Sequence, residues 1–125
     1  MINIRDLFEE DLLAVPEEDL RLSLHQLSNG SRFATAGGVY TFYNEYNEPL
    51  YVGISVNLGR RVPEHLYSNK GNRDLRRHFK AGGEGYVSVF YEDNKMYQEF
   101  YESYLIAVLS PRYNVAKTGR RKIIT

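Results

Sequence analysis

The chain has 125 residues, 42% of them hydrophobic and 26% charged, the size and balance of one globular domain able to bury a core. It contains no cysteine, which excludes a disulfide framework, a cysteine zinc site and a cysteine nucleophile, and its three histidines (His25, His65, His78) are too scattered for a histidine-only metal cage. The net charge of zero is segregated: residues 1–37 carry −4, whereas residues 54–90 and 111–125 carry +4 and +5, two basic stretches that suit a polyanionic partner.

No apolar run approaches the length of a membrane span, and the N-terminus turns acidic almost at once, so the cytoplasm is the expected location. Ile4, Leu7, Phe8 and Leu12 recur at helical spacing. Pro16 suits the first turn of a second helix, with Glu17, Glu18 and Asp19 at its positive end and Leu20, Leu24 and Leu27 as its apolar stripe; Asn29-Gly30 stops it. These acidic helices either pack on the rest of the fold as a structural cap, restrict access to it, or dock a protein partner. Residues 28–37 are rich in small and turn-forming residues and read as a connector.

Gly38 to Tyr43 is β-branched and aromatic and predicts a strand, Asn44 to Pro49 a turn, and Leu50 to Ile54 the returning strand of a hairpin. Ser55 can cap a helix beginning near Val56, which Gly59 and Pro63 leave short or kinked, ending near Tyr67. A basic helix from Arg73 to Lys80 runs into the glycines at 82, 83 and 85; Tyr86 to Tyr91 predicts a third strand. Asn94 to Leu109 is the strongest helical segment, stopped by Pro111, and a basic tail follows to Thr125. The expected architecture is α+β: a small three-stranded, mainly antiparallel sheet flanked by helices, with an N-terminal helical extension.

Within the last helix, Glu102 does not lie on a polar face, because Leu105, Ile106 and Leu109 follow it at helical spacing. A buried carboxylate needs a partner, be it a metal cation, an arginine or hydrogen-bond donors. Tyr40 and Tyr51 sit in the two hairpin strands, but in a chain with 11 tyrosines either one alone reads as packing.

Taken together these residues form a pattern. Gly38-Val39-Tyr40, ten residues, then Tyr51-Val52-Gly53 resembles the pair of tripeptides that names the GIY-YIG nuclease family. Arg61 falls eight positions after Gly53, at the family's catalytic arginine, with Arg60 adjacent, and His65 stands one turn on, where the family often has histidine or tyrosine. Glu102 falls nine residues before Pro111, and Pro111-Arg112-Tyr113-Asn114 is similar to the ending of the nuclease domain in the excinuclease C subunit. Ile54 departs from those relatives, which carry lysine there.

The resemblance implies a nuclease domain over residues 37–116, between an acidic extension at 1–36 and a basic tail at 117–125. It implies a metal-dependent endonuclease that hydrolyses DNA at a single active site and cuts one strand. Glu102 would be the protein ligand to Mg²⁺ or Mn²⁺. Arg61 would clamp the phosphate, and Tyr40 or Tyr51 would be the general base, with His65 able to share that role. Asn114 would orient the tyrosine or the glutamate. Arg60, Arg73, Arg76, Arg77 and Lys80, with Lys117, Arg120, Arg121 and Lys122 in the tail, are the candidate nucleic-acid contacts. These residues do not distinguish DNA from RNA. A catalytically silent nucleic-acid-binding module on the same fold is the alternative.

Overall fold

The computed structural model describes residues 17–114. The helix expected around Ile4 to Leu12, the tail cations Lys117, Arg120, Arg121 and Lys122, and most of the N-terminal extension lie outside the described residues. The elements in chain order are β1 (Leu20–Ser23), α1 (Leu24–Ser28), β2 (Gly38–Asn44), β3 (Pro49–Ser55), α2 (Leu58–Tyr67), α3 (Arg73–Lys80), β4 (Gly85–Tyr91) and α4 (Lys95–Leu109). The class is α+β, and the four strands form one antiparallel sheet in the order β1-β4-β2-β3.

The fourth strand corrects the sequence reading. Leu20 to Ser23, expected within the second helix, instead pairs with β4, Leu20 opposite Val89 and Leu22 opposite Val87. Over four residues, Leu20 and Leu24 at helical spacing cannot be told from Leu20 and Leu22 at strand spacing. The open backbone edge of β4 decides, because its N–H and C=O groups need partners. The helix then starts where its cap lies. Ser23 accepts from the Gln26 N–H at 3.0 Å, and the Gln26 side chain accepts from the Ser23 N–H at 2.8 Å. This reciprocal pair is a capping box, and it restricts the helix to Leu24–Ser28.

The sheet is packed on both faces. Tyr40, Phe42, Val87 and Val89 point to a face covered by Leu27, Leu58, Val62 and Leu75 from α1, α2 and α3. The alternate positions Val39 and Val52 face Tyr101 and Ile106 of α4. A register shift between Phe42 and Tyr43 leaves Leu50 as an extra residue in β3 and brings it into the first core. Both apolar layers exclude water beneath the hairpin, so the hairpin tyrosines are held on a rigid base.

α2 begins two residues later than expected. Its cap is Asn57, whose side chain accepts from the Arg60 N–H, while the Ser55 hydroxyl accepts from the Asn57 N–H. The first helical N–H groups are satisfied from outside, Leu58 donating to the Ala36 carbonyl at 2.9 Å and Gly59 to that of Ala34 at 3.0 Å. A Cβ at Gly59 would lie 2.6 Å from the Phe33 carbonyl oxygen, so this glycine permits the connector to close on the helix. Pro63 is accommodated inside the ten-residue helix, at the cost of one backbone hydrogen bond.

Candidate active site

The glycine of each tripeptide makes room for the residues around it. A Cβ at Gly38 would lie 2.3 Å from the Phe90 carbonyl oxygen of the neighbouring strand. A Cβ at Gly53 would lie 2.4 Å from the Tyr40 hydroxyl and 2.5 Å from its Cζ. Tyr40 and Gly53 are paired across β2 and β3, so the phenol lies over a position that has no side chain. The ring is 1% exposed, with the rings of Tyr51 and His65 at centroid distances of 6.2 Å and 5.3 Å. Tyr51 and His65 are themselves 5.1 Å apart, so three candidate site residues from β2, β3 and α2 share one cluster.

His65 is wholly buried, and both its ring nitrogens are engaged. The Asn72 N–H donates to Nδ1 at 2.9 Å, and Nε2 lies 2.6 Å from the Tyr40 hydroxyl. A backbone N–H can only donate, so Nδ1 is the acceptor and Nε2 carries the hydrogen. The imidazole is therefore a donor to the Tyr40 oxygen. Burial, reinforced by the Arg61 charge, brings the His65 pKa down to about 3, which keeps the ring neutral at physiological pH.

The Arg61 guanidinium lies near enough to Tyr40 to influence it electrostatically. Burial weakens its charge, but the bond to Glu64 and the neighbouring Tyr40 prevail and hold its pKa above the usual value. It donates to Glu64 at 2.9 Å and to the Lys70 carbonyl at 2.9 Å. That pairing in turn holds Glu64 below the usual carboxylate range. For Tyr40, burial and the neighbouring Tyr51 raise the pKa above that of a free phenol, Arg61 opposes them, and Glu102 adds a further rise. The electrostatic influence of Glu102 on Tyr40 brings α4 into the same site, and this carboxylate is only 6% exposed.

Asn114 is buried against the hairpin. Its amide oxygen accepts from the Val52 N–H and its amide nitrogen donates to the Val52 carbonyl, both at 2.9 Å. These bonds go to the backbone between Tyr51 and Gly53, whereas the sequence reading directed Asn114 at a tyrosine or the glutamate. Tyr113 donates from its N–H to the Leu50 carbonyl at 2.8 Å, so the Pro-Arg-Tyr-Asn segment runs along β3.

Arg73, Arg76, Arg77 and Lys80 are gathered on α3, where they line one depression. Arg60 is exposed on α2, one residue before the arginine that bonds to Glu64 and the Lys70 carbonyl. Asn72, Glu64 and Gly71 were not singled out from sequence. Asn72 carries a visible signal as the α3 cap, its side chain accepting from the Leu75 N–H, but nothing local reports the bond of its N–H to His65.

The GIY-YIG catalytic domain family matches residues 36–114, most of the chain. The chain belongs to the GIY-YIG family. It is similar to the uncharacterized protein YurQ of Bacillus subtilis, 33% identical over 86 residues, or 65% of this chain and 62% of that protein. It is also similar to UvrABC system protein C of Helicobacter acinonychis, 28% identical over 78% of this chain, and to that of Neisseria meningitidis, 32% identical over 62%. The chain spans 16% and 12% of those two longer proteins, and less than two thirds of YurQ. Among solved structures it resembles the GIY-YIG N-terminal endonuclease domain of UvrC from Thermotoga maritima bound to magnesium. That match has a TM-score of 0.53 and 27% identity, covering 66% of this chain and 86% of that domain. No helix among the described residues is long and apolar enough to cross a membrane.

Proposed function

We propose that the chain is a metal-dependent endonuclease that hydrolyses DNA phosphodiester bonds at a single site and cuts one strand per encounter. The observation that carries this reading is the Tyr40 oxygen, which receives a hydrogen bond from His65 beside the Arg61 guanidinium and within reach of the Glu102 charge. The donor and the nearby guanidinium oppose the burial that raises the Tyr40 pKa, and so work toward the phenolate that a base acting on water requires. Tyr40 is therefore our candidate base. Tyr51 packs beside it. His65, neutral with both nitrogens engaged, is assigned to hold and polarise Tyr40 instead of sharing the base role.

The donor set fits one hard cation. Among the described residues no cluster of three acidic or histidine ligands exists, so an all-protein cage is not on offer. One buried carboxylate, Glu102, completed by waters and substrate oxygens, is the ordinary way to hold Mg²⁺ at a phosphate; the Thermotoga maritima domain binds magnesium as its catalytic divalent cation. When bound, Mg²⁺ or Mn²⁺ would supply Lewis-acid charge to the phosphate and the leaving 3′ oxygen and would favour a deprotonated Tyr40. Arg61 would exchange its bond to Glu64 for a non-bridging phosphate oxygen, where its planar fork is suited to bind. Asn114 holds the strand that carries Tyr51 and Gly53. The cations of α3 are assigned to the phosphate backbone.

The test is cleavage of labelled single-stranded, duplex and branched DNA, with RNA as a further substrate, by wild type and Glu102→Gln in Mg²⁺, Mn²⁺ or EDTA. Metal-dependent cutting that falls at least about a hundredfold in the variant is expected. Retained binding with no cutting by either protein would replace the enzyme with a silent binding module.

A further inference from the structure

A groove of about 740 Å³ opens between α1, the end of α2 and α3, apart from the Tyr40 cluster. Its floor is apolar, from Leu24, Leu66 and Phe79, and Tyr67 stands in its wall with 58% of its surface exposed. Arg76 and Lys80 line it and also line the neighbouring depression with Arg73 and Arg77, so the basic face of α3 continues into the groove. Glu84 is the single acid in its lining. Arg76 is held in place, donating to the Ser68 carbonyl at 2.6 Å and to Asn69 Oδ1 at 3.0 Å.

We propose that this groove binds an unpaired nucleic-acid strand, with Tyr67 as the stacking surface for a base and Arg76 and Lys80 as its phosphate contacts. An exposed aromatic ring among cations is the combination that recognises single strands, because every unstacked base has a face to stack while the backbone follows the charge. A duplex keeps its base faces stacked internally except at its two ends, and along its length has none to place against Tyr67. The groove is concave, open to solvent and of a size to accommodate a nucleotide-sized ligand.

Its position gives the strand a role. The loop from Ser68 to Asn72 separates the groove from the Tyr40 cluster and is bonded to both. Its Ser68 and Asn69 hold Arg76, while its Lys70 carbonyl and Asn72 N–H hold Arg61 and His65. An unpaired strand in the groove would thus lie one loop away from a phosphate at Arg61. The preferred substrate is then a nucleic acid with a single-stranded arm next to the cut. This deepens the endonuclease reading and rests on it for the cutting step alone.

Fluorescence anisotropy in EDTA, with the full chain, a short single-stranded oligonucleotide and a blunt duplex, tests the groove without hydrolysis. Tyr67→Ala should weaken single-strand binding about tenfold more than duplex binding, and Tyr67→Phe should restore it because the stacking face is kept. In Mg²⁺, the same Ala variant should lose any preference for an armed substrate over a blunt one. Single-strand binding that is absent in wild type, or unchanged in Tyr67→Ala, overturns the proposal, as would a Phe variant as weak as Ala; a groove built for a peptide would give the unchanged result. Glu102→Gln separates the two readings. Glu102-dependent cleavage with no Tyr67 effect leaves the nuclease and removes the groove site; Tyr67-dependent binding with no cleavage does the reverse.

Discussion

Asn72 decides which nitrogen of His65 carries a proton, although the two residues belong to different helical caps and turns. Its N–H donates to Nδ1 at 2.9 Å, and this leaves Nε2 to donate to the Tyr40 oxygen 2.6 Å away. In the proposed mechanism the histidine would act through the tyrosine, and its neutral state is a property of the fold as much as of the site.

That state has a pH signature. The unfolded chain has a histidine near 6.5, while the folded protein holds His65 at about 3. Between these values the unfolded chain binds a proton that the folded one refuses, so unfolding free energy falls as pH drops through this window. The loss should be on the order of a few kcal/mol. His65→Phe should flatten that part of the profile in urea titrations at successive pH values, and should lower cleavage at neutral pH about a hundredfold by removing a donor from Tyr40. A profile as steep in the variant as in wild type would show that other groups carry the dependence.

Two glycines are expected to be intolerant for steric reasons. Gly53→Ala would drive a methyl group against the Tyr40 hydroxyl at 2.4 Å and its ring Cζ at 2.5 Å. Gly71→Ala would meet the His65 Cα at 2.3 Å and the Glu64 carbonyl oxygen at 2.5 Å, backbone atoms that cannot rotate away. Each should cost about 1–3 kcal/mol in thermal or urea unfolding. Cleavage should fall even below the unfolding transition, because Gly53 places Tyr40 and Gly71 places the loop that holds Arg61 and His65. Gly82→Ala, with open space around its Cβ but a φ of +99°, should lose stability and keep the site intact.

Asn114→Ala would leave the Val52 N–H and carbonyl without their present partners, a cost of about 1–3 kcal/mol per buried group. Asn114→Asp keeps the acceptor and loses the donor, and so separates the two bonds. Calorimetric melting temperature alongside cleavage rate measures both. If Asn114 acts by holding β3, activity and stability should decline together across Ala and Asp.

Glu64→Gln is expected to act in the other direction on binding. Its carboxylate occupies Arg61 at 2.9 Å in a partly buried pair within α2. Removing the charge should free the guanidinium for phosphate and tighten DNA binding about threefold, at a stability cost under about 1 kcal/mol. Anisotropy titration in EDTA checks this, and weaker binding would mean that Glu64 orients Arg61 instead of competing for it.

The sequence by itself determined the hairpin, the third strand, the long helix after Asn94 and the α+β class, because alternating or helical apolar periodicity runs far enough in each to identify its geometry. It also pointed to Tyr40, Tyr51, Arg61, His65, Glu102 and Asn114 as candidates, through tripeptide spacing and the order of polar residues in the family pattern. Tertiary structure alone decided that Leu20–Ser23 is a strand, since four residues satisfy either period and the open edge of β4 breaks the tie. It alone decided that Asn114 binds the Val52 backbone, that Arg61 is shared between Glu64 and the Lys70 carbonyl, and that His65 is a neutral donor. Most of these depend on backbone N–H and C=O groups. Every residue carries them alike, so only the folded chain can say which side chain they meet.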